Sequence, residues 1–552
     1  MAGSKEKSAK VKKRGKSVNK KGIFVVVFFG GILLTSTIMF ALPPPPPTMS
    51  EDDIDSDITK TGTPMDNFPD DQRATFCGVE EAKSNSFVTE YKIPTVCTQP
   101  LAIKVGPNGN VWFIETNTGS IAKFDPVSEQ FTEFENSFWP EQGRTMSWGM
   151  DYSPDGTLWY TDGTYDSIWK FNTITETFDG MSYPASESGS LPQKLEIDGS
   201  NVFVNDFTGG KITIFDLVQN MDDVTYMSVL NPIPQAFTGD LTIDSEKNLW
   251  YTNWAVDSTG FLVKLNLADY QNEVSIDDTE TTLENYIHVF DFPNDLNTAN
   301  GLTTDQNGNV WIVDTSSSFF FRFDPTTQEF TKYITTEPPL SSYGNVTGVI
   351  KTPVSRPYWI DTDNSGNLVF NEQTSNQIAV LDVQKESLVE YMIPSKNPNW
   401  ADCDLDSSTN CGVAQIFGFD TTDGAIWFTE WAENNIGVID TTKPLPFKTN
   451  TDKETLVLKK GESGEITLTI TYADISDSIN SEIKTSHTAS TTTNFSDLLI
   501  SSSRNSSQGN TEEIEITIQA SETSLTGNYK VLLGIGNNEV TVSQYVDVII
   551  ES

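Results

Sequence analysis

Seven times between residues 101 and 440 the chain repeats one alternation of apolar and polar positions. A short apolar strand runs into an Asx-Gly turn, an apolar-aromatic strand ends in an acid or Asn, and two further short strands meet at an Asx turn. The second-strand copies are Gly109-Asn-Val-Trp-Phe-Ile-Glu115, Gly156-Thr-Leu-Trp-Tyr-Thr-Asp162, Asn201-Val-Phe-Val-Asn-Asp206, Asn248-Leu-Trp-Tyr-Thr-Asn253, Gly308-Asn-Val-Trp-Ile-Val-Asp314, Gly366-Asn-Leu-Val-Phe-Asn-Glu372 and Gly424-Ala-Ile-Trp-Phe-Thr-Glu430. Aligned on Trp112, Trp159, Phe203, Trp250, Trp311, Val369 and Trp427, they are spaced by 47, 44, 47, 61, 58 and 58 residues, near the period of four-stranded propeller blades. No amphipathic helix of useful length interrupts them. The pattern predicts an all-β chain whose residues 85–446 form a seven-bladed β-propeller.

The last copy lacks an outer strand, because after Ile436-Gly-Val-Ile-Asp440 the chain runs to Pro444-Leu-Pro446 and leaves. Phe87-Val-Thr-Glu-Tyr-Lys-Ile-Pro94 resembles the outer strand of copy six, Leu388-Val-Glu-Tyr-Met-Ile-Pro394, and is predicted to pair into the last blade and close the ring. From Phe447 the composition shifts to Thr, Ser and Ile in strand-like runs such as Glu465–Ile470 and Tyr545–Ile550. Residues 447–552 are expected to form a separate β-sandwich. Leu525-Thr-Gly-Asn-Tyr529 resembles the lead into a late strand of immunoglobulin-like surface modules.

Charge divides the chain unevenly. Residues 1–21 carry nine Lys or Arg against one Glu, residues 22–42 carry no charge, and the total of -42 therefore leaves about -50 on the remainder. The uncharged Gly22–Leu42 run is long enough for a helix to cross roughly 30 Å of hydrocarbon. A cleaved signal peptide is the competing reading, opposed by the long apolar run and by Phe40-Ala41-Leu42-Pro43, a poor cleavage site. The basic residues before the span predict a cytoplasmic tail at 1–21, an anchor in the cell membrane at 22–42, a Pro-rich and acidic linker at 43–84, and an extracytoplasmic body. Such an acidic body excludes a nucleic-acid partner, which needs a basic face. The four cysteines all follow the span, and their short separations suggest disulfides Cys77–Cys97 and Cys403–Cys411 in an oxidising compartment. Sequons at Asn345, Asn494 and Asn505 permit glycosylation.

The Trp-Phe-Thr-Glu430 signature with Asn434-Asn435-Ile436-Gly437 after it resembles the streptogramin B lyase (virginiamycin B lyase) propeller family over residues 87–442. That resemblance implies a metal-dependent lyase that opens a cyclic depsipeptide by elimination, with channel-facing acids on Mg2+ and a His as base. The chain departs from it. It has two histidines: His288, in an apparent outer strand, and His487, in the C-terminal region. The position before the small residue on the innermost strand, where the resemblance puts the base, is occupied by Leu101, Trp148, Gln193, Gly239, Asn300, Tyr358 and Phe417, and Gln415 stands where an acid would precede it in the last copy.

Other residues offer site chemistry, each beside a plainer reading. The second-strand acids Glu115, Asp162, Asp206, Asp314, Glu372 and Glu430 either ring one mouth of the channel and hold Ca2+ or Mg2+, or bond to nearby backbone and water. Asn300-Gly301-Leu302 with Asp314 resembles part of a gluconolactonase-type pattern. Asp402, Asp404 and Asp406 start like a calcium loop but lack its Gly and its distant Glu, which leaves a solvated acidic loop as the alternative. Trp148, Tyr358 and Phe417, with Gln193, Asn300 and Gln415, make either a stacking surface for a ligand in the channel or core packing. The expected role is binding of an extracellular ligand, glycan or protein partner. A metal-dependent propeller enzyme and a structural envelope protein are the alternatives.

Overall fold

In the computed structural model the described residues are 68–78, 81–139, 145–186, 189–216, 224–233, 236–255, 260–273, 286–344, 353–403, 411–478, 480–489, 491–492 and 495–552. The expected tail 1–21, span 22–42 and most of the linker lie outside them, as do Asn345, Asn494, Asp404 and Asp406. Asn505 lies on a strand, Leu498–Gln508. Among the described residues no helix is long and apolar enough to cross a membrane.

The structure is nearly all β, in the arrangement of a β-propeller. Among the described residues, seven antiparallel four-stranded meanders succeed one another along the chain. Their innermost strands are Pro100–Val105, Met150–Tyr152, Pro192–Asp198, Phe237–Ile243, Ala299–Thr304, Pro357–Thr362 and Ile416–Thr422, each lying beside the next and the last beside the first. The Asx-Gly turns work as read: Gly109, Gly156, Gly308, Gly366 and Gly424 take φ of 78–84°, where a Cβ would be strained. In the fourth copy Lys247 takes the left-handed position at 64°. The expected strap also forms, with Val88–Lys92 pairing antiparallel to Asn435–Asp440 in the seventh sheet, Val88 opposite Ile439.

The recurrent second-strand residues join neighbouring sheets. Trp112 packs on Phe171 of the second sheet at 5.7 Å, and Trp427 on Phe124 of the first at 5.8 Å between ring centroids. Polar side chains at the strand ends then clasp the next inner strand. Thr161 Oγ1 donates to Gln193 O (2.6 Å), Asn205 Nδ2 to Thr238 O (2.8 Å), Thr252 Oγ1 to Ala299 O (2.8 Å), Thr315 Oγ1 to Pro357 O (2.9 Å), Asn371 Nδ2 to Ile416 O (2.7 Å) and Thr429 Oγ1 to Leu101 O (2.8 Å). The Thr of the Trp-Phe-Thr-Glu signature is therefore a clasp between sheets, satisfying a carbonyl that the ring geometry leaves without a ladder partner.

Two segments flanking the propeller are tied to it. The linker assigned to 43–84 ends earlier than expected: Phe68, the helix Arg73–Phe76 and Cys77 are packed against the propeller. The C-terminal region contributes to two sheets, one of which is shared with the propeller. One of its sheets contains Phe447–Thr451, Ser463–Tyr472, Thr511–Ala520 and Leu498–Gln508; the other continues the sixth sheet of the propeller, with Val540–Gln544 pairing antiparallel to Ser387–Tyr391. The junction is reinforced by Lys530, whose ammonium lies 2.6 Å from Glu386, and by Tyr333, whose hydroxyl donates to the same carboxylate at 2.8 Å. Burying an outer edge under the chain's own last strand satisfies its backbone groups and removes a site for stray pairing.

Candidate functional site: the two ends of the central channel

A bulge determines what the inner strands present to the channel. On a regular strand residues i and i+3 lie on opposite faces. Six of the seven inner strands shift register early in their course, for example between Pro192 and Leu195, Pro357 and Ile360, and Ile416 and Phe419. An extra residue of this kind re-aims the side chains that follow it. Residues three apart thus both reach the axis: Tyr358 with Asp361, Phe417 with Asp420, Leu101 with Lys104 and Gln193 with Glu196. Trp148 and Asp151 are spaced alike, Trp148 preceding the short, regular strand Met150–Tyr152. The first members gather at one end, the second members at the other.

At the first end the channel is closed. Trp148, from the second sheet, lies 6.0 Å from Tyr358 and 5.8 Å from Trp359 of the sixth, and 5.5 Å from Phe417 of the seventh. Those sheets are not its neighbours in the ring, so the rings meet across the axis. Phe417 continues to Trp431 (5.8 Å) and Trp431 to Trp400 (5.7 Å), with Phe76 on both indoles. The Trp400 indole N–H donates to Thr75 O at 2.7 Å, and the disulfide Cys77–Cys97 ties the capping segment down. The structure thus brings Trp148, Tyr358 and Phe417 together, at 4, 5 and 1% exposure, as an aromatic plug. Gln193, Asn300 and Gln415 are buried beside it. Gln193 O accepts the Thr161 clasp, Asn300 Nδ2 donates to Thr315 Oγ1 at 3.2 Å, and Gln415, at φ 59°, accepts from the Trp431 N–H. Of these six residues only Trp148 also borders the open cavity at the other end; the remaining five are packed away from it.

Most of the strand-end acids are bonded to their own turns. Asp314 accepts from Thr298 N (2.9 Å), Ser316 N and Oγ and Ser317 Oγ, and so folds its own turn. Asp206 accepts from Leu191 N, Gly209 N and Ser190 Oγ, and Asp162 from Thr145 Oγ1 and two turn amides. Glu430 accepts from Asn435 Nδ2 at 2.7 Å. Burial, then Glu90 on the strap strand, raises its carboxyl well above the usual range. Glu372 is raised likewise by burial, then by Glu390 on the outer strand of the same sheet. Among the described residues no three His, Cys, Asp or Glu side chains converge as a metal site. The disulfide Cys403–Cys411 is formed, and Asp402 N donates to Tyr343 O at 3.1 Å. Both histidines lie off the channel, His288 exposed on Ile287–Asp291 and His487 on Glu482–His487.

At the second end the axis stays open, as a cavity of about 290 Å³ lined from all seven inner strands. Lys104 bridges Asp151 and Asp420, at 3.3 Å each, and Lys194 pairs with Asp240 at 2.9 Å. These acids also stitch the ring: Asp151 Oδ2 accepts from Ile197 N, Asp420 Oδ2 from Val105 N, Asp240 Oδ2 from Leu302 N and Glu196 Oε1 from Ile243 N. Asp420 and Asp151 hold the Lys104 ammonium well above its usual range. Burial pushes Asp240 up to about 6, against the pull of Lys194, and Glu196 up to about 8. The sequence reading missed this end. Its signal was a charged residue four positions before the turn Asx in two copies, Lys104 ahead of Asn108 and Asp151 ahead of Asp155, and two or three before it in others.

No protein-family profile and no curated protein matches the chain. Similar solved structures include virginiamycin B lyase from Staphylococcus aureus, at 19% identity over 65% of this chain and 99% of that one, TM-score 0.48. A streptogramin B lyase structure matches at 20% identity over 64% and 96%, TM-score 0.47. A luciferin-regenerating enzyme matches at 14% over 53% and 91%, TM-score 0.33. Likeness at this level decides nothing about what this chain does.

Proposed function

We propose that this chain is a binding protein, a seven-bladed propeller whose site is the charged end of its channel, and that it does not carry the lyase chemistry its signature resembles. The carrying observation is the axial cavity, to which every inner strand contributes while the opposite end is packed with aromatic rings. The lyase resemblance puts its base, a His, at the position before the small residue of an innermost strand, and those positions hold Leu101, Trp148, Gln193, Gly239, Asn300, Tyr358 and Phe417. In this reading residues 22–42 anchor the chain in a membrane, residues 447–552 are an immunoglobulin-like module that braces the sixth blade, and the ligand comes from the extracytoplasmic side.

The test is a thermal-shift screen of the full chain against sugars, amines, amino acids and short peptides, repeated with Asp361→Trp at the exposed mouth. A ligand that raises Tm for the parent chain and not for the variant supports the reading. Ligands that act equally on both, or opening of a streptogramin B ring by the parent chain, would overturn it.

A further inference from the structure

The charges of the cavity do not cancel. Lys104 is paired with Asp151 and Asp420 and Lys194 with Asp240, which leaves the carboxyls of Glu196 and Asp361 outside the ion pairs, within the field of the same two lysines. They come from the third and sixth sheets, which stand opposite each other in the ring, and lie close enough for Asp361 to disfavour the ionised form of Glu196. Asp361 is exposed at the mouth. Trp148 and Thr242, 4 and 9% exposed, line the same cavity, and neither the indole N–H nor the hydroxyl has a hydrogen-bond partner among the described residues. Trp359 adds an aromatic wall.

We propose that the axial cavity takes an organic cation, an ammonium or guanidinium group on a small amine or on a basic peptide side chain, seated between Glu196 and Asp361 with its carbon stem along Trp359 and Trp148. The proposal rests on the channel-binding reading above. Two carboxyls facing across a gap favour a positive group between them, and indole faces add attraction for a cation and apolar contact for its stem. A bare divalent ion is disfavoured because it needs several converging oxygens and would share the cavity with two ammonium groups. A neutral saccharide leaves the Asp361 carboxylate without an ion-pair partner. The strongly acidic chain, at -42, draws cations toward the mouth.

The seat has a proton attached to it. Glu196 is faced by Lys194 on its own strand, Asp151 on the second sheet and Asp361 on the sixth, and with its carboxyl pushed up to about 8 it is mostly protonated at pH 7. A cation arriving beside it favours the carboxylate, so binding releases a proton and tightens as pH rises from 6 to 8.

The experiment titrates the full chain with 1,5-diaminopentane, with an acetylated Lys-Lys peptide amide, with maltotriose and with CaCl2, by calorimetry in two buffers of different ionisation enthalpy. The expected result is binding of one or both cations with proton release. Asp361→Asn should weaken it at least tenfold, and Glu196→Gln should abolish the release and flatten the pH dependence, with both variants keeping the parent Tm within a few degrees. The two cation arms distinguish a free amine from a peptide side chain. Cation binding that is unchanged in both variants, or that releases no proton, overturns the proposal. Maltotriose or Ca2+ binding in place of the cations overturns the cation seat while leaving the channel reading intact, provided Asp361→Trp blocks it. Binding that survives Asp361→Trp overturns both.

Discussion

The two ends of the channel are built from the same seven strands and differ in nearly everything else. At one end Trp148, Tyr358 and Phe417 meet across the axis and are capped by Phe76, Trp400 and Trp431. At the other, three residues further along each strand, Lys104, Asp151, Glu196, Asp361 and Asp420 surround open space. A packed aromatic end gains from dispersion and area burial. The charged end cannot be filled in the same way, because burying five acids with two lysines lining or bordering it would leave uncompensated charge. The lesson is a division of labour along the axis: the plug gives the ring its stability, and the price of keeping a polar site is confined to the opposite mouth.

The plug is where substitution should hurt most. Phe417→Ala removes a ring that is 1% exposed and touches three others, with an expected loss of about 3–5 kcal/mol. Denaturant midpoints of parent and variant measure it, and a loss below about 1 kcal/mol would mean the plug is not structural. Next comes the cap, where Cys77→Ser/Cys97→Ser removes a covalent tie and should cost about 2–4 kcal/mol. It should also raise dye binding to the uncovered indoles. At the charged end Lys104→Met leaves Asp151 and Asp420 facing each other without their cation. Both are partly solvated, so the expected loss is about 1–3 kcal/mol, shrinking as salt is raised. A salt-independent loss would show packing, not charge, to be the cause. The clasps should matter least individually: Thr429→Val, which removes the bond to Leu101 O, should cost about 1 kcal/mol.

A pH profile sharpens the comparison further. Burial and a second carboxyl raise Glu372 and Glu430, and burial pushes Glu390 up to about 7 and Glu196 up to about 8. For a carboxyl whose folded value exceeds the unfolded one, the folded state binds more protons between the two values. Stability should therefore be fully present below about pH 4.5, the ordinary Glu range, and decline as pH rises toward 8, before other groups intervene. Glu372→Gln should flatten that decline, whereas Lys104→Met should leave its slope nearly unchanged. Thermal melts from pH 5 to 9 would show it, and stability rising across that range would contradict the assignment of these buried acids.

The sequence by itself determined the repeat, the turn glycines, the closing strap and both disulfide pairs, because each depends on local spacing: a period-two alternation, a left-handed turn position, or two cysteines a short loop apart. It also singled out Trp148, Tyr358 and Phe417 as equivalent inner-strand positions, since they occupy one register of the repeat. Whether they lined a pocket or filled it was decided by ring closure, which sets the diameter across which three large side chains meet. The charged end was decided by tertiary structure too. A bulge turns residue i+3 toward the axis where alternation sends it away, so the linear pattern does not mark Glu196, Asp361 and Asp420 as axial positions. The C-terminal strand Val540–Glu551 could not be assigned to the sixth sheet from its own residues either, because an edge-to-edge backbone ladder is indifferent to side-chain identity and leaves no pattern to read.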